Sequence, residues 1–494
     1  MKLIKSGLIH PFMVGIFPII FIFTNNLSEI SGYSLLLPMG IIFGVITISI
    51  FLLNKFSKNI QKTNLTISFL LIIFFSIGYV RLWIGNFQIY EIPLADNRVL
   101  IFCYVVITIL GLGIIYKIRN IEKPTQIISI ISIAILISFV PSIIEDFVIS
   151  ENIQDYSMNK IQFNNNKPNI YFIILDGYAG EESLTNDFNF DNSDMINFLN
   201  ELGFYHINNS FSNYGGTGLT TTSILNMNYL DKIDGYSPNN KLLEKKVFSN
   251  NLVMKTLKDN GYNTFFIDGG AAMRDIKVSD KIFCHETDNG LLQTLIDTSF
   301  LTYVYQGFLW KSWEEIRNCG FTELENIGSD VNEPFFVYAH LRTPHDPYTR
   351  DIDGNFIQYK ERLDQLDEST SNERYIYQLK YTNQKMKEII PKLLTVDKKP
   401  IIILISDHGW EQFPNNPPTD ADLKQWHSNF EVMYLPDIEE IERYNGISPV
   451  NIFRMIFDDY FGTKLERLED RAYYVETSNS ENELKQIDIT NIFK

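Results

Sequence analysis

Five apolar runs crowd the first 150 residues of this chain: Leu8 to Phe23, Ser34 to Leu53, Leu65 to Ile84, Val99 to Tyr116 and Ile127 to Ile144. Each approaches the roughly 20 residues that an α-helix needs to cross the hydrocarbon of a bilayer. Runs this long and this close together have too little polar chain between them to be the cores of separate water-soluble layers. A cleaved signal peptide does not account for the first, because no small-residue cleavage site comes after it and four more runs do. Residues 1–150 are therefore expected to form a transmembrane bundle of about five helices.

Charge divides the chain at the same place. Residues 1–150 carry ten basic and six acidic side chains, a net of +4, which leaves −21 of the total −17 for the remainder. The basic residues gather in alternate loops. Lys2 and Lys5 precede the first run, Lys55, Lys58 and Lys62 follow the second, and Lys117, Arg119 and Lys123 follow the fourth, while the other loops hold only Arg98. Positive loops stay on the cytoplasmic side, so the pattern predicts a cytoplasmic N-terminus and, after an odd number of spans, an acidic second half outside the cytoplasm. Arg81, near the end of the third run, is expected to snorkel to the interface, and Cys103 to fill space within a span. An acidic chain of this kind does not bind nucleic acid, and three Cys in 494 residues exclude a multi-cysteine metal site.

Past a linker expected at 151–166, the pattern changes to short apolar strands separated by helical periodicity. This predicts an α/β domain over 167–494 with a mainly parallel central sheet sandwiched by helices. The strands are expected at Asn169 to Leu175, Thr264 to Ile267, Pro334 to Leu341 and Pro400 to Ile405. Helices are expected at Ser193 to Leu202, Thr217 to Tyr229, Leu252 to Asn260, Glu373 to Leu394 and Val450 to Tyr460. The aromatic stretch Ser299 to Trp313 reads as a core or membrane-facing helix.

Open α/β sheets collect ligands at the carboxyl edge of their strands. Asp176 follows the first strand, His340 and His345 lie at and after the third, and Asp407 and His408 follow the last. Carboxylate and imidazole are ligands for a divalent metal. Thr217 follows two glycines and opens a helix, where the dipole and free N–H groups favour an anion such as an alkoxide. Thr220, Thr221, Thr222 and Ser223 compete with it, but Thr217 alone directly follows the glycines. Asn213 is a candidate donor to a phosphate oxygen. His10, His206 and His285 have no ligand pattern around them. Cys284 and Cys319 either pair or remain two thiols.

From about Pro168 to SPVNIFRMIFDDYFGT near residue 460, these residues resemble the alkaline phosphatase superfamily in its sulfatase-like membrane branch, which includes phosphoethanolamine transferases and lipoteichoic acid synthases. The resemblance implies one catalytic divalent metal, Zn or Mn, held by Asp176, Thr217, Asp407 and His408, with Thr217 as nucleophile. His340 and His345-Asp346-Pro347-Tyr348 match the transferases' spacing of two histidines, which implies that His345 assists the transferred or leaving group and that His340 contacts substrate. The segment HSNFEVMYLPD implies the same for His427. Sulfatases proper carry a Cys or Ser, followed by Pro and Arg, that is converted to formylglycine, and none of this surrounds Thr217. No second set of an Asp and two His suggests a two-metal site.

The chain is thus expected to be a membrane-anchored, metal-dependent enzyme. Its reaction would move a phospho-linked group of phosphoethanolamine or phosphoglycerol type from a lipid donor to an envelope glycan or lipid acceptor, through a phospho-threonine. The alternatives are a phosphate or sulfate ester hydrolase using the same site, and a non-catalytic envelope scaffold. Oligomeric state is not written in the sequence.

Overall fold

The computed structural model describes the chain apart from residues 1–6, 27–31, 85–87, 90–91, 94–96, 145–166, 234–245, 271–275, 285–289, 358–367, 397–398, 411–416, 438–445, 477–484 and 494. The linker expected at 151–166 and His285 lie outside the described residues. The chain forms two compact units, one of residues 1–152 and 286–309, the other of residues 153–285 and 310–494.

The first unit contains helices α1 (His10–Asn25), α2 (Leu36–Ser57), α3 (Ile60–Ile84), α4 (Asn97–Lys117) and α5 (Glu122–Ser138). Four of the described helices, α2 to α5, are long and apolar enough to cross a membrane. The expected count of five is not reached by this measure, because α1 has only 16 residues, with Pro18 inside it. Phe51, Phe56, Phe102 and Tyr116 are exposed. Surface of that kind is costly in water and ordinary in lipid. Inside the bundle, His10 is buried with Nδ1 2.6 Å from the Ser68 hydroxyl.

The same unit takes in a return of the chain that sequence reading did not anticipate. Helix α7 (Gly290–Asp297) and the residues after it pack on α3: the Gly78 N–H donates to Thr298 O at 3.1 Å and Phe300 N–H donates to Phe74 O at 3.1 Å. A Cβ on Gly78 would lie 2.5 Å from the Thr298 Cα, so only glycine permits this approach. The expected Ser299 to Trp313 helix begins at Thr302, as part of α8 (Thr302–Asp330), whose residues up to Leu309 belong to this unit.

The second unit is built on seven strands: β1 (Ile170–Leu175), β2 (Tyr205–His206), β3 (Asn263–Gly269), β4 (Lys281–Phe283), β5 (Phe335–Leu341), β6 (Ile401–Ile405) and β7 (Glu431–Tyr434). Their order across the sheet is β2-β7-β6-β1-β5-β3-β4. All neighbours are parallel except β6 with β7 and β7 with β2. The run IYFIIL of β1 is wholly buried. Ile170, Phe172 and Ile174 enter one core and Tyr171, Ile173 and Leu175 the other, as a parallel sheet covered on both faces requires. The four long strands lie where their apolar runs place them. Strands β2, β4 and β7 went unanticipated because they are short, and β7 contains Glu431.

Helix α6 (Thr217–Leu225) ends four residues before the expected Tyr229, where Met227 takes φ of 52° and Asn226 donates its side-chain amide to Thr222 O. Cys284 and Cys319 form a disulfide. It joins the points at which the chain leaves the second unit and re-enters it, on either side of 286–309. By closing a 35-residue separation, it should stabilise the second unit by about 2–4 kcal/mol. Cys284→Ser, or thiol reduction of the parent, is expected to lower the thermal midpoint by several degrees, read by scanning fluorimetry.

Glu431 yields a pH prediction. Burial pushes its carboxyl up to about 8 from the ordinary 4.5, with one oxygen accepting from the Ser210 hydroxyl at 2.6 Å. The folded protein therefore holds a proton on Glu431 that the unfolded chain gives up above about 4.5, and stability falls as pH rises from there through about 8. Glu431→Gln should flatten that decline, seen as a smaller drop in thermal midpoint between pH 5 and pH 8 than in the parent.

Candidate metal centre

The carboxyl edges of three neighbouring strands deliver the site. Asp176 ends β1, His340 lies in β5 opposite Ile174, and Asp407 and His408 follow β6. The turn after β1 is folded back by Asp407, whose Oδ1 accepts the Gly177 N–H at 3.1 Å and the His408 N–H at 3.0 Å. That leaves Asp407 Oδ2 buried and without a hydrogen bond, and the same holds for Asp176 Oδ1 and His340 Nε2.

These atoms face one another. His340 Nε2 lies 3.5 Å from Asp176 Oδ2 and 3.9 Å from Asp407 Oδ2. His408 Nε2 lies 3.5 Å from Asp176 Oδ1 and 3.7 Å from Asp407 Oδ2. Among the described residues two groups able to hold an ion emerge, Asp176 with His340 and Asp407, and Asp176 with His345 and His408. Buried carboxylate oxygens left unpaired at such distances carry a large desolvation cost unless a cation joins them. The donor set of oxygens and imidazole nitrogens fits Zn or Mn.

Surrounding groups prepare the imidazoles. His408 Nδ1 lies 2.6 Å from Gly409 O. A carbonyl only accepts, so Nδ1 carries the proton and Nε2 the lone pair. His340 Nδ1 lies 2.8 Å from the Tyr338 hydroxyl, and a ligating His340 donates Nδ1–H to that oxygen. His345 sits above, its ring 5.8 Å from that of His408, with Nδ1 2.7 Å from Asp346 Oδ1. Burial opposes its charge, but the carboxylates of Asp176 and Asp346 outweigh that and raise its pKa to about 10. Burial likewise works against the Asp176 anion, and the positive charge of His345 and the neighbouring His340 and His408 hold it well below the carboxylate range.

A cavity of about 260 Å³ opens beside the cluster, with His345, Tyr348, Tyr375, His408 and Trp410 in its wall. Its floor is fixed by Tyr375, whose hydroxyl donates to Gly177 O at 3.0 Å and accepts the Ala179 N–H at 2.9 Å. The loop bearing His345 is held by buried Arg317 of α8, which donates to Arg342 O at 2.7 Å and His345 O at 2.9 Å.

A family model described as Sulfatase matches residues 168–458. The chain belongs to the sulfatase family. That match bears out the sulfatase-like part of the resemblance and, with it, the expectation of an enzyme. No curated protein has a sequence that matches it significantly. Among solved structures it is similar to lipooligosaccharide phosphoethanolamine transferase A from Neisseria meningitidis, at 12% identity and a TM-score of 0.44 over 92% of this chain and 95% of that one. The C-terminal periplasmic domain of EcEptC from Escherichia coli in complex with Zn is 11% identical, with a TM-score of 0.44 over 68% of this chain and 97% of that one. A protein in the alkaline phosphatase superfamily from Vibrio parahaemolyticus is 16% identical, with a TM-score of 0.39 over 67% and 80%.

Of the residues singled out in this sulfatase-family sequence, the structure brings together Asp176, His340, His345, Asp407 and His408. His340, expected to contact substrate, instead points its unpaired nitrogen between two carboxylates, a ligand's position. Thr217 opens α6 after the extended Gly216, partly exposed. Its hydroxyl makes no hydrogen bond to the cluster among the described residues. The competing hydroxyls are buried: Thr220 donates to Tyr214 O, Thr221 to Thr217 O and Ser223 to Asn228 O, while Thr222 has no partner.

Asn213 and His427 require correction. Asn213 donates to the Ser448 hydroxyl and to Arg471 O at 2.8 Å and accepts Val450 N–H at 2.9 Å. Its whole amide is spent on joining loops, which removes it as a phosphate donor. His427 is fully buried, with its ring nitrogens 3.0 Å from Leu423 O and 3.3 Å from Tyr473 O, and burial lowers its pKa to about 4. It belongs to neither ion-holding group.

Tyr338, Arg317 and Tyr375 are supports that sequence reading missed. Only Tyr338 left a signal, because it stands two residues before His340 and a strand returns to the same face every second residue. Tyr338→Phe should weaken Zn binding by on the order of ten-fold, and Asp407→Asn should abolish stoichiometric metal. Both are read by chelator competition and elemental mass spectrometry on the purified chain.

Proposed function

We propose that this chain is a membrane-anchored phosphotransferase of the envelope that moves a phosphoethanolamine- or phosphoglycerol-type group from a lipid donor to a glycan or lipid hydroxyl. The observation that carries this reading is the meeting of Asp176, His340, Asp407 and His408 with three buried donor atoms unpaired, in a sulfatase-family domain whose chain also has membrane-length helices. Asp176, Asp407, His408 and His340 would hold one Zn or Mn ion. Such an ion neutralises charge on the transferred phosphoryl group and lowers the pKa of a bound hydroxyl. Thr217 is the nucleophile in this reading, supported by its place at the start of α6 and by the burial of its rivals.

The Thr217 hydroxyl gives its proton to solvent and its oxygen attacks the phosphorus of the donor phosphodiester. The bond from phosphorus to the lipid's alcohol oxygen breaks, and that oxygen takes a proton from His345. With Nδ1 tied to the Asp346 carboxylate, which favours its charged form, His345 suits the acid's role. In the second half, neutral His345 accepts the proton of an acceptor hydroxyl as that oxygen attacks phosphothreonine, and the bond to Thr217 breaks, the Thr217 oxygen regaining its proton from solvent. Most of the catalysis is positioning and charge neutralisation, as phosphoryl transfer requires.

A lipid donor is supported by the first unit, where an apolar cavity of about 370 Å³ lies between α2, α3 and α7, lined by residues such as Ile42, Leu71, Phe75 and Leu295. The alternating basic loops argue that α1 is a fifth span, that the N-terminus is cytoplasmic and that the second unit lies outside.

Thr217→Ala should reduce turnover of a headgroup-labelled phospholipid by at least about 10³-fold and eliminate the labelled covalent adduct seen by mass spectrometry. Retained adduct would remove Thr217 from the mechanism. His345→Gln should slow transfer by about 10²–10⁴-fold while leaving bound metal in place. Label that reaches only water, whatever acceptor is supplied, would replace transfer by hydrolysis.

A further inference from the structure

A second cleft in the catalytic unit, of about 560 Å³, shares no lining residue with the cavity beside the metal centre. It lies at the β2 edge of the sheet, between the helix Glu181–Asn186, the loop 206–210, residues 424–429 and the C-terminal Phe493. Its volume falls in the about 300–1,000 Å³ range of small-ligand pockets.

The chemistry of its walls narrows the occupant. Glu182 is paired with Lys424 at 2.8 Å, and Glu181 lies 3.9 Å from His206 Nδ1. Lys424 balances Glu182, but burial lowers the His206 pKa and leaves the Glu181 charge in place at neutral pH; the wall's residual charge is negative, which disfavours a phosphate, and one exposed carboxylate alone does not make a cation site. The rest of the wall is neutral and doubly competent for hydrogen bonding. Asn208 and Asn209 are exposed amides at the rim. Asn429, 3% exposed, donates its amide to Ser406 O at 3.1 Å, and its Oδ1 has no partner. An unpaired buried acceptor asks for a donor from a ligand. Phe493 supplies an apolar wall, its ring stacked on Phe211 at 4.8 Å. A ligand that fits carries closely spaced hydroxyls, each donor and acceptor, on a ring with an apolar C–H face.

We propose that this cleft binds a neutral saccharide. Binding stands without the transfer reaction. Only the saccharide's use as acceptor rests on the phosphotransferase function. Asn429 also ties the cleft to the site, because the carbonyl it holds belongs to Ser406, the residue before Asp407.

The test uses the full chain in phosphatidylcholine nanodiscs, which avoids sugar detergents, and neutral pentasaccharides of glucose, mannose and N-acetylglucosamine as probes. Saturation-transfer NMR should show at least one of them bound, and Asn208→Ala with Phe493→Ala should weaken it at least ten-fold while bound Zn stays stoichiometric. Asn208→Ala alone, a change on the exposed rim, is the second variant should Phe493→Ala disturb folding, and it should weaken binding as well. Absence of saturation transfer to every probe, affinity unchanged in these variants, or displacement of the sugar by inorganic phosphate at equal concentration would overturn the proposal. A chain that binds the sugar and holds no metal would sink the transferase reading and leave this one standing.

Discussion

Two buried carboxylates that face the same small volume set the terms for the catalytic unit. Asp176 and Asp407 are 4% and 0% exposed, and each keeps an oxygen with no hydrogen bond. Anions placed so close repel each other and lose their water, so the fold has to supply compensating positive charge or donors. It does so in two layers. Backbone N–H groups of Gly177 and His408 satisfy one oxygen of Asp407, and the imidazoles of His340, His345 and His408 surround the rest. A divalent cation completes that balance, which is why the arrangement reads as a metal centre rather than as an internal salt bridge.

Rigidity around the cluster comes from groups outside the set of metal-ligating side chains. Tyr375 pins the turn after β1 through Gly177 and Ala179, and Arg317 pins the loop of His345 by two carbonyls. Gln378 extends the second arrangement, accepting from Thr349 N–H at 3.0 Å. These residues lie on two long helices, Thr302–Asp330 and Glu368–Val396, so the loops that carry the chemistry are held by scaffold elements.

The first unit obeys a different solvent. Its helices leave large apolar side chains exposed, and buried polar groups such as His10 and Ser68 meet between helices. The return of residues 286–309 shows that the chain is not a simple sequence of anchor and then enzyme. The Cys284–Cys319 disulfide holds the two ends of that departure together within the catalytic unit.

Local pattern alone determined a good deal of this protein. Continuous apolar runs specify the membrane helices and the four long strands, because burial on all sides needs no knowledge of the partner. Asp176, His340, His345, Asp407 and His408 were legible because each lies at or just past the end of such a strand, where a parallel sheet gathers its ligands. Tertiary structure decided what long-range contacts decide. Asn213 and His427 look like site residues in sequence, yet loops more than 200 positions away consume the Asn213 amide, and His427 is buried between Leu423 O and Tyr473 O. That His340 faces two carboxylates is visible only in the register of β5 against β1. The pairing of Cys284, the short edge strands and the return to the first unit likewise depend on residues far apart in the chain. A hydrogen bond or a metal ligand is defined by distance in space, and sequence records distance only along the backbone.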